Sequence, residues 1–486
     1  MSHSRPLCTV TNAEKLAPLA MKSSAESNGI LIGRRADRWV WTGHQRSALV
    51  LGPTRSGKTS SIVIPNILCA SGSVVTTSTK PDVLLATSQS RSRVGECFVF
   101  DPTGATLDVP NVTPVGWSPL LSARTWDGAL EVATSMVLTS QRRSQQGAVN
   151  VNHWSERSGA LLSTLLHAGA LSGDSMETVL QWVDRHHGSD ALAILESKGG
   201  HGHPATALLA GILATDTREQ SGIWSTTSGV LGAYRSIGAL ESTKGPHLDP
   251  TEFVHGNHTL FICASGRTQN LLAPLIVGML GEIQEAGYRR SDNERPVLFA
   301  LDELANIAPL PDLPQLVSEG GGQGVLTIGC LQDLSQARLR WGPEANGFLS
   351  LFSTTLALGG IADTPTLRAL SDLAGERNVP RDSMSIARDR RGGRSSTVTR
   401  SHNKERNLRV DEIARGVPGT ALFLDSSKRI GRIHLTVAHR DEPWTALIGN
   451  RERDLGFDSF AQFAPEDHPT IGTRFRVQPT TSGRER

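Results

Sequence analysis

The stretch SALVLGPTRSGKT, Ser47–Thr59, decides the fold of this chain. Its first part is a short apolar run, and its second part, Gly52–Thr59, satisfies the P-loop pattern G-x-x-x-x-G-K-[ST]. The glycines let backbone N–H groups point inward around a triphosphate, and the helix that follows adds the positive end of its dipole. Because the pattern directly follows a predicted strand, we predict that ATP binding and hydrolysis are central to the function.

The expected roles within the loop follow from charge and coordination chemistry. Lys58 is expected to reach the β- and γ-phosphates of ATP, and Thr59 to bind Mg²⁺ through its hydroxyl. Pro65 follows soon after, so the first helix is expected to be short or kinked. The predicted nucleotide-binding residues are Gly52, Pro53, Thr54, Arg55, Ser56, Gly57, Lys58 and Thr59.

Magnesium also requires a carboxylate at the end of a neighbouring strand, and two stretches offer one. In VLFALDELANIAP, the acids Asp302 and Glu303 follow an apolar run. Asp302 is predicted to hold the metal through water, and Glu303 to orient and deprotonate the attacking water. Asp101 in FVFDPTG is the alternative, although Pro102 and Gly104 suit a loop-capping aspartate equally well. We therefore prefer the first stretch.

Polar residues end two further apolar runs. Gln332, in GVLTIGCLQDL, is expected to face the ligand crevice at the carboxyl ends of the strands, where it can sense the γ-phosphate or position water. A helix-capping or loop amide is the alternative interpretation. Lys80 and Asp82, in STKPDVL, are candidates for a structural ion pair at the same rim.

Short apolar and β-branched runs recur along the chain and predict an α/β fold. Several are apolar throughout, as in strands that are covered on both faces, and helical stretches separate them. A mostly parallel central sheet flanked by helices is the natural packing solution. The runs are Ser47–Leu51, Ser73–Thr77, Cys97–Phe100, Thr259–Ala264, Val297–Leu301, Leu326–Leu331, Thr354–Leu358, Ala421–Leu424 and Ile433–Val437.

Between about Trp126 and Leu240 the strand signal disappears and helical periodicity replaces it, which predicts an all-helical insertion. The nucleotide-binding domain is therefore expected in two parts on either side of it. The predicted organisation is an N-terminal extension at 1–38, the first part of the nucleotide-binding domain at 39–124, the all-α insertion at 125–246, the second part at 247–445 and a partly disordered tail at 446–486.

Composition excludes several classes of protein. The 49 Lys and Arg nearly cancel the 47 Asp and Glu, so a uniformly basic nucleic-acid binder is excluded and any such binding needs a local patch. The five cysteines are scattered without metal-ligand spacing, which is typical of a reducing compartment. Because no run approaches the ~18 apolar residues of a membrane span, we expect no transmembrane segment in this chain.

One candidate for such a basic patch is Arg388–Arg406, where seven Lys or Arg accompany Asp389 and Glu405. The segment has no apolar period, so it is predicted to be poorly ordered. It is expected either to contact DNA phosphates or to be a solvated loop.

The motifs in this order resemble the TraG/TraD type of conjugative coupling protein, and especially the branch with a TraM-recognition domain. The likeness covers roughly Trp39 to His439 and rests on GPTRSGKT, TTSTKPDVL, FVFDPTG, HWSERSGALLSTLLHA, LDELANIAPLPDLP, LQDLSQARLRWG and RNLRVDEIARGVPGTALF. The resemblance implies a hexameric, RecA-like P-loop NTPase that uses ATP and Mg²⁺ to pump single-stranded DNA, often with attached relaxase, into a type IV secretion channel.

The resemblance also implies partners and leaves two questions. The implied partners are relaxosome proteins and channel proteins. Members commonly begin with transmembrane helices, and we expect none in this chain, so the resemblance also implies a membrane partner that holds the chain at the inner face of the cell membrane. Members often carry an arginine in the Gly-rich stretch where this chain has Gly321 and Gln323, and this arginine is a plausible arginine finger. We therefore expect Arg338 or Arg340 to act instead, as a trans-acting arginine that reaches across a subunit interface. A DNA translocase resembling FtsK or HerA and a nonenzymatic recruitment adaptor are the alternatives.

Overall fold

The structure is a computed structural model, and it describes residues 29–36, 38–104, 108–141, 151–264, 269–290, 295–388, 394–426 and 430–448. Most of the tail predicted at 446–486 lies outside these ranges. Within them, no helix combines the length and the apolar character that crossing a membrane requires.

A twelve-stranded sheet and a separate two-stranded hairpin contain the named strands. These strands are β1 (Leu31–Arg35), β2 (Arg38–Trp41), β3 (Ala48–Leu51), β4 (Val74–Ser78), β5 (Cys97–Phe100), β6 (Thr113–Pro114), β7 (Thr259–Cys263), β8 (Val297–Leu301), β9 (Val325–Leu331), β10 (Thr354–Leu358), β11 (Glu376–Arg388), β12 (Arg394–Arg406), β13 (Thr420–Asp425) and β14 (Ile430–His434).

The order across the large sheet is β2-β1-β14-β13-β10-β3-β9-β8-β4-β7-β5-β6. From β10 to β6 all neighbours are parallel, whereas β13, β14, β1 and β2 add an antiparallel edge. The parallel strands β4, β8, β9 and β10 are buried along their whole length, because helices cover both faces. The predicted α/β fold with a mostly parallel sheet is confirmed.

Each apolar run that was predicted as a strand overlaps a strand of this sheet, although β14 ends at His434 and not at Val437. The strands β1 and β2 were missed. Because β1 lies within the segment 1–38 and pairs with β14, the large sheet includes residues before Trp39. Four or five residues rich in Arg and Trp give too short a pattern to reveal an edge strand.

The helices surround the sheet. They are α1 (Ile64–Cys69), α2 (Asp82–Arg91), α3 (Pro119–Ser122), α4 (Trp126–Gln141), α5 (Val151–Ser172), α6 (Met176–Asp184), α7 (Ser189–Gly199), α8 (Pro204–Leu213), α9 (Thr217–Val230), α10 (Ile237–Glu241), α11 (Pro250–His255), α12 (Gln269–Tyr288), α13 (Leu304–Ile307), α14 (Leu313–Glu319), α15 (Leu334–Trp341), α16 (Phe348–Leu351), α17 (Thr364–Leu373) and α18 (Val410–Arg415). Between 119 and 246, the described chain forms helices and no strand.

Two hydrophobic clusters lie on the two faces of the sheet. One joins Leu49, Leu51 and Phe100 of the sheet to the helical segment, including Leu161 and Leu165 of α5. The other packs the opposite side chains of the same strands against the helix that follows the P-loop and against the antiparallel edge. The helical segment therefore shares a continuous core with the nucleotide-binding part.

The helix after the P-loop begins as a π-helical turn, Thr59–Val63, and continues as α1. Pro65 has no N–H to donate to the carbonyl of Ser61, and a wider turn accommodates this missing bond. The expectation of a short first helix is confirmed.

The expectation of disorder at Arg388–Arg406 is wrong for the part of the segment that the structure describes. Strands β11 and β12 pair without interruption from Glu376 opposite Arg406 to Arg388 opposite Arg394, and residues 389–393 lie outside the described chain. A ribbon that is exposed on both faces needs no apolar alternation, so its sequence lacks the signal on which the prediction depended.

Candidate nucleotide-binding site

The P-loop and the acid pair meet at the carboxyl edge of the parallel sheet. Strand β9 lies between β3, which leads into the P-loop, and β8, which leads into Asp302. The N–H of Gly52 donates to the carbonyl of Leu331 at 3.1 Å, so the P-loop begins beside the end of β9. Gln332, the next residue, therefore lies between the two motifs, at the crevice where the sequence predicts it.

The P-loop curls around its own lysine. Lys58 is buried, and its ammonium Nζ donates to the carbonyls of Gly52 at 2.6 Å and Pro53 at 3.0 Å. Gly57 has φ +94°, which side-chain-bearing residues rarely adopt, and Arg55 is left-handed with φ +65°. No side chain caps the helical turn that begins at Thr59, so its first N–H groups face the loop without a side-chain acceptor.

Asp302 is the acid that faces the P-loop. The hydroxyl of Thr59 donates to Asp302 Oδ2 at 2.6 Å, and the hydroxyl of Thr77 donates to the Asp302 carbonyl at 2.7 Å. Burial, reinforced by the charge of Glu303, raises the pKa of Asp302 to about 6, against the hydrogen bond from Thr59 and the charge of Lys58. A buried carboxylate whose charge is costly is well suited to accept a cation.

Glu303 has an unusual backbone conformation. With φ 60° and ψ 43° it is a left-handed non-glycine residue, a conformation that costs on the order of 1 kcal/mol or more. Its carbonyl accepts the first bonds of α13, and its carboxylate Oε2 accepts a hydrogen bond from Asn306 Nδ2 at 3.1 Å. Asn306 was missed by sequence reasoning, although its position three residues after Glu303 is the spacing of side chains on one helix face.

The other predicted polar residues take different positions. The N–H of Gln332 donates to Gln336 Oε1 at 2.9 Å, and this bond closes the turn into α15. Asp101 ends β5, which β4 and β7 separate from β8, and it accepts a hydrogen bond from the N–H of Thr103 at 2.8 Å. Asp101 therefore caps a loop, and the alternative in which it replaces Asp302 has no geometric support. At the rim, the hydroxyl of Ser78 donates to Asp82 at 3.2 Å.

Arg338, a candidate for the trans-acting arginine, is tied down within its own chain. Its guanidinium donates to Asp363 Oδ2 at 2.7 Å. Asp363 is the N-cap of α17, where it also accepts the N–H of Thr366 at 3.0 Å. The pair therefore fastens α15 to α17. The loop just before α17 packs closely on the P-loop, since a Cβ added to Gly360 would lie 3.0 Å from the side chain of Pro53.

Gly321, in the Gly-rich stretch, lies too close to a second backbone segment to carry a side chain. A Cβ at this residue would lie 1.9 Å from the carbonyl oxygen of Gln45, so the close approach of two backbone segments excludes any side chain. Gln45 itself is left-handed, with φ 60°. An arginine at position 321 is therefore incompatible with this packing.

The residues present fit a nucleoside triphosphate and Mg²⁺. The Lys58 ammonium, the Thr59 hydroxyl and the Asp302 carboxylate combine a phosphate-binding cation with the oxygen ligands that magnesium prefers. Ser56 Oγ is buried in the same loop and has no hydrogen-bond partner within the described structure, so it is available to a ligand.

A model of the family described as "Type IV secretory system Conjugative DNA transfer" matches residues 14–415. The chain belongs to this family. Conjugal transfer protein TraG of Escherichia coli is 24% identical over 356 residues, which are 66% of this chain and 54% of TraG. Protein VirD4 of Rhizobium radiobacter is 21% identical over 311 residues, which are 61% of this chain and 43% of VirD4. The chain thus spans about half the length of these curated relatives.

Solved structures of the coupling protein TrwB have the same fold as this chain of the conjugative DNA-transfer family. An unbound form matches with a TM-score of 0.63 and 20% identity, covering 81% of this chain and 85% of the TrwB chain. A complex of TrwB with ADP and Mg²⁺ matches with a TM-score of 0.61 and 20% identity, covering 81% and 86%. The expected RecA-like architecture is confirmed at the level of the fold.

Proposed function

We propose that this chain is an ATP-driven coupling protein that recruits a relaxosome and pumps single-stranded DNA, with its relaxase, into a type IV secretion channel. The observation that carries the proposal is the hydrogen bond of 2.6 Å between Thr59 of the P-loop and Asp302, with Glu303 as the next residue. Thr59 and Asp302 are the two magnesium-binding residues of a P-loop ATPase, and Glu303 is the base that such an enzyme requires.

Each residue has a distinct task in this proposal. Lys58 exchanges the carbonyls of Gly52 and Pro53 for the β- and γ-phosphates of ATP, because a phosphate is the stronger acceptor for an ammonium. Thr59 and Asp302 hold Mg²⁺, which neutralises phosphate charge when it is bound. Glu303 orients water and takes its proton, and Gln332 senses the γ-phosphate from the end of β9.

The comparisons support the nucleotide and the machinery in this proposal. TrwB has been solved with an ATP analogue and with ADP and Mg²⁺, and TraG is a conjugal transfer protein. For this chain we propose ATP and Mg²⁺ as ligands and a homo-hexamer as the active state. A membrane partner that anchors the motor to the inner face of the cell membrane and the domain bounds 39–124, 125–246 and 247–445 are parts of the same proposal.

An ATPase assay with and without single-stranded DNA tests the proposal. The purified chain is expected to hydrolyse ATP, to do so faster with single-stranded DNA, and to lose both activities in Lys58→Ala. Hydrolysis that only duplex DNA stimulates would favour a translocase of the FtsK or HerA kind. A chain that binds relaxase but does not hydrolyse ATP under any condition would be an adaptor, and the proposal would fail.

A further inference from the structure

The hairpin of β11 and β12, hereafter the arm, is a separate element that stands on the body of the protein. It forms its own two-stranded sheet, and the N–H of Asn407 donates to the carbonyl of Gly375 at 2.9 Å where the two strands leave the body. Thirteen residues per strand at ~3.3 Å each give an arm of roughly 40 Å. Of its described side chains, only Val379 is even half-buried.

The arm concentrates positive charge. Strands β11 and β12 together contain seven Lys or Arg against three Asp or Glu, a net charge of +4, whereas the whole chain has +2. The rest of the molecule is therefore net negative. The exposed cations whose side chains are described are Arg377, Arg381, Arg400, Lys404 and Arg406. Arg406, at the base, also pairs with Asp372 at 2.8 Å, and this pair fixes the arm to α17.

The arm also exposes apolar side chains in the middle of this charge. Met384 and Val398 lie directly opposite each other in the register, and they are 64% and 59% exposed. An isolated two-stranded hairpin is only marginally stable in water. In a ribbon that contacts only solvent, an exposed apolar pair adds an unfavourable contact with water. Both features are typical of a surface that is completed by a binding partner.

We propose that the arm binds double-stranded DNA by laying its ribbon in the major groove. The major groove has the width to admit a two-stranded β-ribbon, and the cations along both strands are complementary to the phosphates on either side. The apolar pair contacts the base edges and thymine methyl groups. This site is distinct from the nucleotide site and goes beyond the proposed pumping of a single strand.

The composition of the arm favours duplex over single-stranded DNA. Surfaces that bind unpaired bases use aromatic side chains as stacking platforms. Residues 376–406 contain no Phe, Trp or Tyr. The arm is a narrow, positively charged ribbon, which suits the major groove of a duplex. It lacks the aromatic side chains on which unpaired bases stack.

Duplex binding in the absence of nucleotide tests this inference. The variant Arg381→Ser, Arg400→Ser, Lys404→Ser is compared with a control of equal charge change on exposed body residues, Arg93→Ser, Arg185→Ser, Arg289→Ser. Fluorescence anisotropy of a blunt duplex of about three helical turns is recorded over a salt series. The arm variant is expected to bind the duplex more weakly. The slope of the logarithm of its binding constant against the logarithm of the salt concentration is expected to become shallower by up to ~0.9 per lost phosphate contact. Equal losses in both variants would overturn the inference.

A second variant removes the arm. Because Glu376 lies opposite Arg406, residues 377–405 can be replaced by the two-residue turn Asn-Gly, which closes a hairpin with little strain. The shortened chain is expected to keep its thermal stability and its nucleotide affinity, and to lose the wild-type preference for the duplex over the single strand of the same sequence. Unchanged duplex binding would refute the arm as a DNA site and would point to a protein partner.

This inference and the proposed function fail in different measurements. The duplex experiments contain no ATP, so a chain without ATPase activity can still bind duplex DNA through the arm. Conversely, full ATPase activity with single-stranded DNA says nothing about the arm. Loss of duplex binding in the shortened chain, with ATPase activity retained, is the result that supports both.

Discussion

At the scale of single residues, the nucleotide site is a balance between buried charges. Asp302 is nearly inaccessible, yet the charge of Lys58 and the hydroxyl of Thr59 face it. Glu303, beside it, is held in a left-handed conformation and contacts Asn306. A ligand that brings a cation relieves the cost at Asp302, so metal binding and protonation of this residue compete.

We predict that Mg²⁺-dependent nucleotide binding weakens as the pH falls from 7 to 5. Burial raises the pKa of Asp302 to about 6, so the carboxylate is charged above this value and protonated below it, where it no longer holds a cation. Calorimetric titration of nucleotide with and without Mg²⁺ across this range measures the effect. Asp302→Asn serves as the control that retains only the titration of the nucleotide itself, and identical pH profiles for the two proteins would contradict the assignment.

Lys58 and Glu303 are expected to fail in different ways. Lys58→Ala removes the phosphate-binding charge and should abolish nucleotide binding in the micromolar range. Glu303→Gln keeps the size and polarity of the side chain but removes the base, so it should bind nucleotide normally and lose ~10²–10⁴-fold in turnover. A fluorescent nucleotide and a phosphate-release assay distinguish the two. If Glu303→Gln turns over like the wild type, another acid activates the water.

At the scale of elements, helix α12 carries a partly buried carboxylate, Glu282, that contacts residues just before and within α3. Glu282 accepts hydrogen bonds from Trp117 Nε1, at 2.7 Å, and from the hydroxyl of Ser122 at the end of α3. Burial raises its pKa to about 7, against these two hydrogen bonds. Such a residue binds a proton in the folded protein at a pH where the unfolded chain has lost it.

This predicts a pH-dependent stability with a definite sign. Because the folded pKa of Glu282 lies above its ordinary value of 4.5, the stabilisation is complete below about pH 4.5 and is lost as the pH rises through 7. A shift of this size corresponds to roughly 3 kcal/mol. Urea unfolding at pH 5, 6, 7 and 8 should show the decline, and Glu282→Gln should flatten it. A decline of equal size in the variant would place its origin elsewhere.

At the scale of the whole molecule, we propose that a neighbouring copy completes the active site. Motors of this class complete their site with an arginine worth ~10³-fold or more in turnover. Within this chain, backbone packing against Gln45 excludes a side chain at position 321, and Arg338 is paired with Asp363. Of the two candidate arginines we propose Arg340, which lies on the same helix next to the 75%-exposed Leu339.

A mixing experiment tests this assignment. Lys58→Ala and Arg340→Ala chains are expected to be nearly inactive alone and to recover part of the activity when they are mixed, because some sites then combine an intact P-loop with an intact neighbouring arginine. Arg338→Ala is the matched control, since it should loosen α17 and not behave as a trans-acting residue. Co-assembly is verified by a tag on one variant that co-purifies the untagged other, and absence of recovery in mixed rings would exclude Arg340.

The parallel sheet, the P-loop and the acid pair could be predicted from the sequence, because these features depend on local patterns. An apolar run of five residues and a glycine-rich turn specify a buried strand and a phosphate loop without reference to distant parts of the chain. The sequence offered Asp101 as an alternative to Asp302, since both acids follow apolar runs. Strand order favours Asp302, because β8 lies near β3 and β5 lies far from it.

The features that depend on pairing between distant residues emerge only in the folded chain. Strand β1 is defined by its partners β2 and β14, and the arm is defined by the register of β11 with β12, because neither carries a one-sided apolar pattern. The contact of Gly321 with Gln45 and the pair of Arg338 with Asp363 likewise join residues far apart in the chain. The apolar pattern of a local stretch indicates which face of a helix or strand is buried. The element that covers this face is fixed only when the whole chain folds.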